Sequence, residues 1–253
     1  MRNIIIIISV IAIATLSSGF GCGKDAGSYS SSPSGGTSGT GKAGSLARFA
    51  VVGNYLYALD GKDIVTYDIT NATSPIVKSH VKVSFDIETI YPYQGNLFIG
   101  AATGMHAYSL ADPAKPQYLS VVRHVRACDP VVVQGSYAYV TLRSGTNCGG
   151  TDVMNVYNVS NLSNPQLVKT INLLQPQGLG ISGQALYVTT PAGIKMFNLS
   201  QPANPSYITD IQELNAADVI PYNNTLIVQL GRGAAFYDIS NELAPSFLSR
   251  ITQ

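Results

Sequence analysis

Ile194-Lys195-Met196-Phe197-Asn198-Leu199-Ser200-Gln201-Pro202-Ala203-Asn204-Pro205 reads as a short apolar run, a polar turn, and a proline that opens the next run. Its register is an aromatic, then a turn-forming polar residue, then a Pro seven residues beyond the polar one. The register recurs as Tyr67-Asp68 with Pro75, Tyr108-Ser109 with Pro116, Tyr157-Asn158 with Pro165, and Tyr237-Asp238 with Pro245. Successive prolines stand 41, 49, 40 and 40 residues apart. A fixed period of this length marks a repeat architecture, so the unit to be read is the repeat and not the whole chain.

Around the quoted segment the repeat holds four apolar runs: Gly178 to Ile181, Ala185 to Thr189, Ile194 to Leu199, and Ser206 to Ile211. Gly183-Gln184, Pro191-Ala192-Gly193 and Ser200 to Asn204 separate them. Runs of four to six residues bounded by Gly, Pro, Asn and Ser are strands with turns. In the third run Lys195, Phe197 and Leu199 share one side while Ile194 and Met196 share the other, so both faces are largely apolar. A sheet covered on both faces follows. The Pro opening each fourth run has no N–H to donate, which places that run at a sheet edge. Four strands per repeat, five times over, predict an all-β fold: a five-bladed β-propeller of four-stranded antiparallel blades. A β-sandwich shares the spacing of about ten residues per strand but leaves the 41-residue period unexplained.

The segments Ile64 to Ile69, Met105 to Leu110, Val153 to Val159, Ile194 to Leu199 and Ala234 to Ile239, each followed by an Asn- or Asp-containing turn and Pro, resemble the LVIVD-repeat family of exported bacterial β-propellers. The resemblance spans about residues 47 to 253. It implies the fold and supplies no catalytic residues. The repeats divide at about 46–83, 84–124, 125–173, 174–213 and 214–253.

Upstream, Arg2 precedes the apolar run Ile4 to Leu16, and Ser17-Ser18-Gly19-Phe20-Gly21 leads to Cys22. A run of this length is too short for a permanent membrane span and fits the core of an export signal over residues 1–21. With Cys22 at the expected cut, the segment resembles a bacterial lipoprotein precursor, and the resemblance implies lipidation of Cys22 and a place at the outer membrane or cell surface. Gly19 stands where that family usually carries Leu, and Gly19-Phe20-Gly21 also suits ordinary signal peptidase, which would release a soluble exported protein. Residues 22–45 are rich in Gly, Ser and Thr and cannot bury enough apolar surface to fold. They read as a tether with a reach of roughly 25 to 30 Å.

Charge narrows the partners. Fifteen Lys and Arg against fourteen Asp and Glu leave a net charge of +1, and charged residues make up 11% of the chain, well below the usual quarter. With no basic run, nucleic acid is excluded as a partner. In an up-and-down blade, the start of the first strand shares an edge with the loop between the second and third. Glu88, Asp129, Gln177 and Asp218 open the first strands of repeats two to five, about one repeat apart, and are expected to ring the central channel. Arg123, His124 and Arg126 precede the third repeat, and Arg143 and Arg232 occupy second-to-third loops on the same face. Repeat three exceeds the others by about eight residues, nearly all in Leu142 to Asp152, an insertion where individual function is added. It carries Cys148, and Cys128 begins the same blade, so topology brings the two to one edge and export permits a disulfide.

Other motifs fail on context. Three His scattered over two repeats, without Cys-x-x-Cys or His-x-x-x-His spacing, offer no metal site, and no cofactor is indicated. Gly178-Leu179-Gly180-Ile181-Ser182-Gly183 satisfies G-x-G-x-x-G but precedes a strand, so no helix N-terminus follows to hold a pyrophosphate. Gly36 to Ala43 nearly spells a phosphate loop, with Ala43 where Ser or Thr is needed. Two functional readings remain. One is a non-enzymatic module, tethered by lipid only, that binds an envelope protein or glycan through its loop face. The other is a glycoside hydrolase drawing an acid/base pair from Glu88, Asp129 and Asp218.

Overall fold

A computed structural model of the chain describes residues 44–83, 86–123, 130–145 and 150–252. Cys22, His124, Arg126, Cys128, Asp129 and Cys148 lie outside the described residues, and with them the lipid attachment and the disulfide. Blade 1 is β1 (Phe49–Val52), β2 (Tyr55–Asp60), β3 (Asp63–Asp68) and β4 (Ile76–Lys82). Blade 2 is β5 (Ile87–Tyr93), β6 (Asn96–Ala101), β7 (Gly104–Ser109) and β8 (Gln117–Arg123). Blade 3 is β9 (Val131–Gln134), β10 (Tyr137–Leu142), β11 (Val153–Asn158) and β12 (Gln166–Asn172). Blade 4 is β13 (Leu179–Ser182), β14 (Ala185–Thr190), β15 (Gly193–Asn198) and β16 (Ser206–Ile211). Blade 5 is β17 (Ala216–Tyr222), β18 (Thr225–Leu230), β19 (Ala234–Asp238) and β20 (Ser246–Ile251).

Each sheet joins four consecutive strands in chain order, all antiparallel, so every blade is built from its own repeat and the five form a β-propeller. First strands of neighbouring blades touch around the axis, β1 with β5, β5 with β9, β9 with β13 and β13 with β17. Fourth strands form the rim: every residue of β20 is exposed, whereas Val131 to Val133 in β9 are buried. Four apolar layers fill the spaces between consecutive blades. Phe98 and Met105 of blade 2, for instance, meet Val131 and Val140 of blade 3. Both faces of blades 2 to 4 are therefore covered by apolar packing, as the doubly apolar third runs predict.

The repeat register has a local cause in every copy. The polar residue after the aromatic caps the turn. Asp68 accepts the Thr70 N–H at 3.0 Å, and Asn158, Asn198 and Asp238 accept from Ser160, Ser200 and Ser240 at 2.9, 2.7 and 2.8 Å. The Ser109 hydroxyl does the same for Ala111 at 3.1 Å. The aromatic itself stands at a β-bulge between the third and fourth strands of each blade, between Thr66 and Tyr67 and at the four matching pairs. A bulge bends and twists the strand that carries it. Beyond it Tyr108, Phe197 and Tyr237 pack edge-on against Tyr118, Tyr207 and Phe247 of the rim strand, with centroids 5.6 to 6.0 Å apart.

Tyrosines on second strands stitch neighbouring blades. Tyr57 donates to the Pro113 carbonyl at 2.8 Å, Tyr139 to Pro202 at 3.0 Å and Tyr187 to Glu242 at 2.6 Å. Burial pushes all three phenols above their ordinary pKa, and neighbouring groups add to the shift, so they remain donors.

The ring closes through a segment that composition assigns to the tether. Ser45 is 1% exposed, and its hydroxyl donates to Asp218 Oδ1 at 2.9 Å while accepting the Leu179 N–H at 2.6 Å. The Leu46 N–H donates to Asp218 Oδ2 at 3.2 Å, and the Ala47 carbonyl accepts from Ile90 N at 2.9 Å. Three consecutive residues thus link blades 2, 4 and 5 at the axis before β1 begins. Among the described residues no strand is exchanged between blades. The ordered fold reaches back at least to Gly44, because a Ser hydroxyl and backbone amides can be buried once they find partners.

Candidate ligand face at the channel mouth

Backbone register decides which first-strand residues face the channel. In blade 2 the register shifts between Ile87 and Thr89, and in blade 5 between Ala216 and Asp218. Counting from the shared pairs Ile90 with Ile99 and Val219 with Val228, Glu88 corresponds to Ala217, and Asp218 corresponds to Thr89. A displacement of one residue along a strand turns the side chain to the opposite face. Glu88 and Asp218, equivalent by sequence spacing, therefore part company. Glu88 turns to the mouth of the channel. Asp218 is 3% exposed and spends its carboxylate on Ser45, Leu46 and its own neighbour Val219, whose N–H it accepts at 2.9 Å.

Burial dominates the Asp218 pKa and pushes it up to about 6, against the pull of hydrogen bonds from Leu46, Ser45 and Val219. The carboxylate packs where Gly44 and Gly178 leave room. A Cβ on either glycine would run into it. Asp218 is a closure residue of the ring rather than a ligand group.

Glu88, Arg143 and Gln177 do converge. With Leu46, Pro130 and Pro176 they line a pocket of about 160 Å³ at the starts of the first strands. Glu88 is delivered by its bulge, a device that re-aims side chains next to binding sites. Gln177 is fixed from both directions along its backbone: its N–H donates to Thr189 O at 2.8 Å, and its carbonyl accepts the Thr141 hydroxyl at 2.7 Å. Arg143 follows directly on β10, at the root of the blade-3 insertion. That root is held by Asp152, which accepts the Ser144 N–H at 2.7 Å. Burial draws the Asp152 carboxyl upward, but hydrogen bonds from Ser144 and Gln175 and the charge of Arg143 hold it below the usual carboxylate range.

The residues around the pocket thus include a carboxylate, a guanidinium and an amide together with two prolines and Leu46. Opposite charges and a donor–acceptor amide within one small cavity suit a polar group that both gives and accepts hydrogen bonds.

Arg123 and Arg232 do not line this pocket. Arg123 pairs with Gly104 at the exposed end of β8, and Arg232 lies exposed in the turn between β18 and β19. Inside blade 2, His106 is buried with neither ring nitrogen hydrogen-bonded, and burial first, then the charge of Arg123, lowers its pKa. Among the described residues no three His, Cys, Asp or Glu side chains stand together as metal ligands. The residues that sequence spacing missed are Ser45, Leu46 and Thr141. Their signal was the Gly44-Ser45 pair, hidden in a composition that otherwise reads as tether.

The LVIVD repeat family model matches residues 41–83 and 126–172. A search of the curated proteins finds no match. Among solved structures the chain is similar to a functionally unknown protein from Desulfotomaculum acetoxidans at 13% identity and a TM-score of 0.61, covering 78% of this chain and 68% of that one. It is also similar to a protein from Lactobacillus plantarum at 12% identity and a TM-score of 0.64, covering 80% and 74%. The periplasmic gluconolactonase of Pseudomonas aeruginosa matches at 12% identity and a TM-score of 0.62, covering 79% and 68%. Likeness at such identities shows the fold alone. Period and blade topology agree that the chain is a five-bladed β-propeller, and two segments of it match the LVIVD repeat model.

Proposed function

We propose that the chain is a non-enzymatic binding module, held at the bacterial envelope by a lipid on Cys22, that takes hold of a partner protein through the channel mouth. The observation that carries this reading is the convergence of Glu88, Arg143 and Gln177 on one pocket. Its volume of about 160 Å³ is well below the roughly 300 to 1,000 Å³ of small-molecule sites. It accommodates one side chain or one substituent of a larger partner, and the root of the blade-3 insertion stands beside it to widen the contact. A hydrolase drawing on the first-strand carboxylates would lose Asp218, which is committed to ring closure.

Affinity capture from envelope extract tests the reading, comparing the full chain with a Glu88→Gln, Arg143→Ala double variant. The expected result is a protein retained by the wild type and lost with the variant. Identical capture by both would refute it, as would polysaccharide hydrolysis by the wild type that Glu88→Gln abolishes. Tethering is tested by metabolic labelling with an alkyne fatty acid. Label on the wild type and none on Cys22→Ala is expected, and an unlabelled secreted product from the wild type would overturn the tether.

A further inference from the structure

We infer that a groove between blades 1 and 2, on the face opposite the channel mouth, is a binding site for a neutral saccharide. The groove has a volume of about 620 Å³, within the range of small-ligand sites. Asn54 and Tyr55 of the first hairpin of blade 1 form one wall, and Tyr93 and Gln94 of the first hairpin of blade 2 form the other. Leu110 and Pro113 close the end.

The groove lies where a first strand ends in an apolar residue. On this face the ends of β5 and β9 reach across to the next blade. Tyr93 of β5 accepts the Gly135 N–H at 2.7 Å, and Gln134 of β9 donates to Gly183 O at 3.0 Å. The junction of blades 4 and 5 is bridged by Glu242, which accepts from Gln184 N at 3.3 Å. In β1 the corresponding end is Val52, paired with Tyr55 as Tyr93 is with Asn96. An apolar branched side chain has nothing with which to bridge, and the cleft stays open.

The walls are held in place before any ligand arrives. The Tyr93 ring is anchored by Gly135. Tyr55 stacks on Tyr57, with centroids 6.5 Å apart and planes 30° from parallel, and Tyr57 is itself bonded to Pro113 at the groove's end. Backbone groups at both hairpins are already used. Asn54 O accepts Ile69 N at 2.8 Å, Gly95 O accepts Leu110 N at 2.8 Å, and Gln94 O accepts the Asn96 amide at 2.9 Å. Gln94 holds φ at 44°, in the left-handed region, which sets its hairpin tightly.

The lining contains no charged side chain, so anionic or cationic ligands find no counter-charge. It presents two half-buried tyrosines and two exposed carboxamides. Flat aromatic faces cover the C–H surface of a pyranose, and a carboxamide gives one hydrogen bond and accepts another from adjacent hydroxyls. That pairing of apolar plates with neutral donor–acceptor groups fits a sugar.

The test is a titration of the full chain with neutral di- to tetrasaccharides of glucose, galactose, mannose and N-acetylglucosamine, followed by tyrosine fluorescence and calorimetry. A matched set carrying uronic acids and a set of proline-rich peptides serve as competitors. The expected result is saturable binding of at least one neutral probe, weakened about tenfold or more by Tyr55→Ala and by Asn54→Ala. It should be unchanged by the Glu88→Gln, Arg143→Ala pair at the opposite mouth. Tyr93→Phe keeps the ring while releasing its anchor and serves where Tyr93→Ala fails to fold. No binding of any neutral probe at millimolar concentration would overturn the inference. Preference for uronic acids or peptides, or binding that Tyr55→Ala and Asn54→Ala leave intact, would overturn it equally. Loss of protein capture at the channel mouth tests the other face and leaves this outcome untouched.

Discussion

Replacing Asp218 by Asn removes the one charge that ring closure buries and leaves the outline of the side chain intact. In the folded chain its carboxyl titrates near 6 because burial disfavours the charged form, whereas an exposed aspartate titrates near 3.8. Between these values the folded chain holds a proton that the unfolded chain has released. Stability contributed by this group is therefore greatest at low pH and is lost as pH rises from about 4 through 6. The difference of about two pKa units amounts to about 3 kcal/mol. In a domain of this size that is about 6 to 12 °C of Tm. Asn cannot ionise, and whichever way its amide turns, its NH2 meets one of the donors that Asp218 now accepts. That cost is the same at every pH.

Urea unfolding of wild type and Asp218→Asn at half-unit steps from pH 4 to 8 isolates the effect, because all other carboxylates cancel in the difference. Those carboxylates matter. Asp68, Asp152 and Asp238 are held below the usual range and have the opposite pH dependence. The wild type should lose about 2 to 2.5 kcal/mol relative to the variant over this range, with the midpoint near pH 5. A difference that stays flat, or that favours the wild type as pH rises, would refute the account of Asp218 as a buried charge at the closure.

Four further outcomes follow from the same geometry. Gly178→Ala should lower the urea midpoint severely or abolish folding, since its Cβ would occupy the Asp218 carboxylate, whereas Gly53→Ala meets no atom and should cost only about 1 to 2 kcal/mol for its φ of 57°. Tyr139→Phe and Tyr187→Phe each remove an inter-blade hydrogen bond and should cost about 1 kcal/mol in chemical denaturation, adding in the double variant. Glu213→Ala should cost about 2 to 4 kcal/mol in the same assay, because buried Glu213 accepts both the Tyr237 hydroxyl at 2.6 Å and Arg250 at 2.7 Å, pinning the last strand. Intact mass after alkylation without reductant should show no free thiol at Cys128 and Cys148, and labelling of both would end the proposed disulfide.

The architecture was legible because its signals are local and repeated. Asp68, Asn158, Asn198 and Asp238 cap turns two residues away, and a proline can open only an edge strand, so each repeat carries its own instructions. The third runs were apolar on both sides, and the structure buries both. The channel face was legible only in part. Glu88, Gln177 and Arg143 meet as topology requires, but Asp218 does not join them. The bulges at Glu88 and Ala217 set the faces, and a bulge leaves the spacing between repeats unchanged, so counting residues cannot reveal it.

Length, period and turn chemistry by themselves determined five four-stranded blades, the edge position of the proline strands and the face on which the loops gather. Interactions between neighbours in sequence suffice for these. Only the tertiary structure decided that Ser45 is bonded to Asp218, 173 residues away, that Tyr57, Tyr139 and Tyr187 tie blade to blade, and that a cleft lies open beside Val52 where the ends of β5 and β9 bridge to the next blade. Closing a ring brings together groups far apart in the chain. Which of them meet depends on strand register and side-chain reach, and neither is written in the repeat.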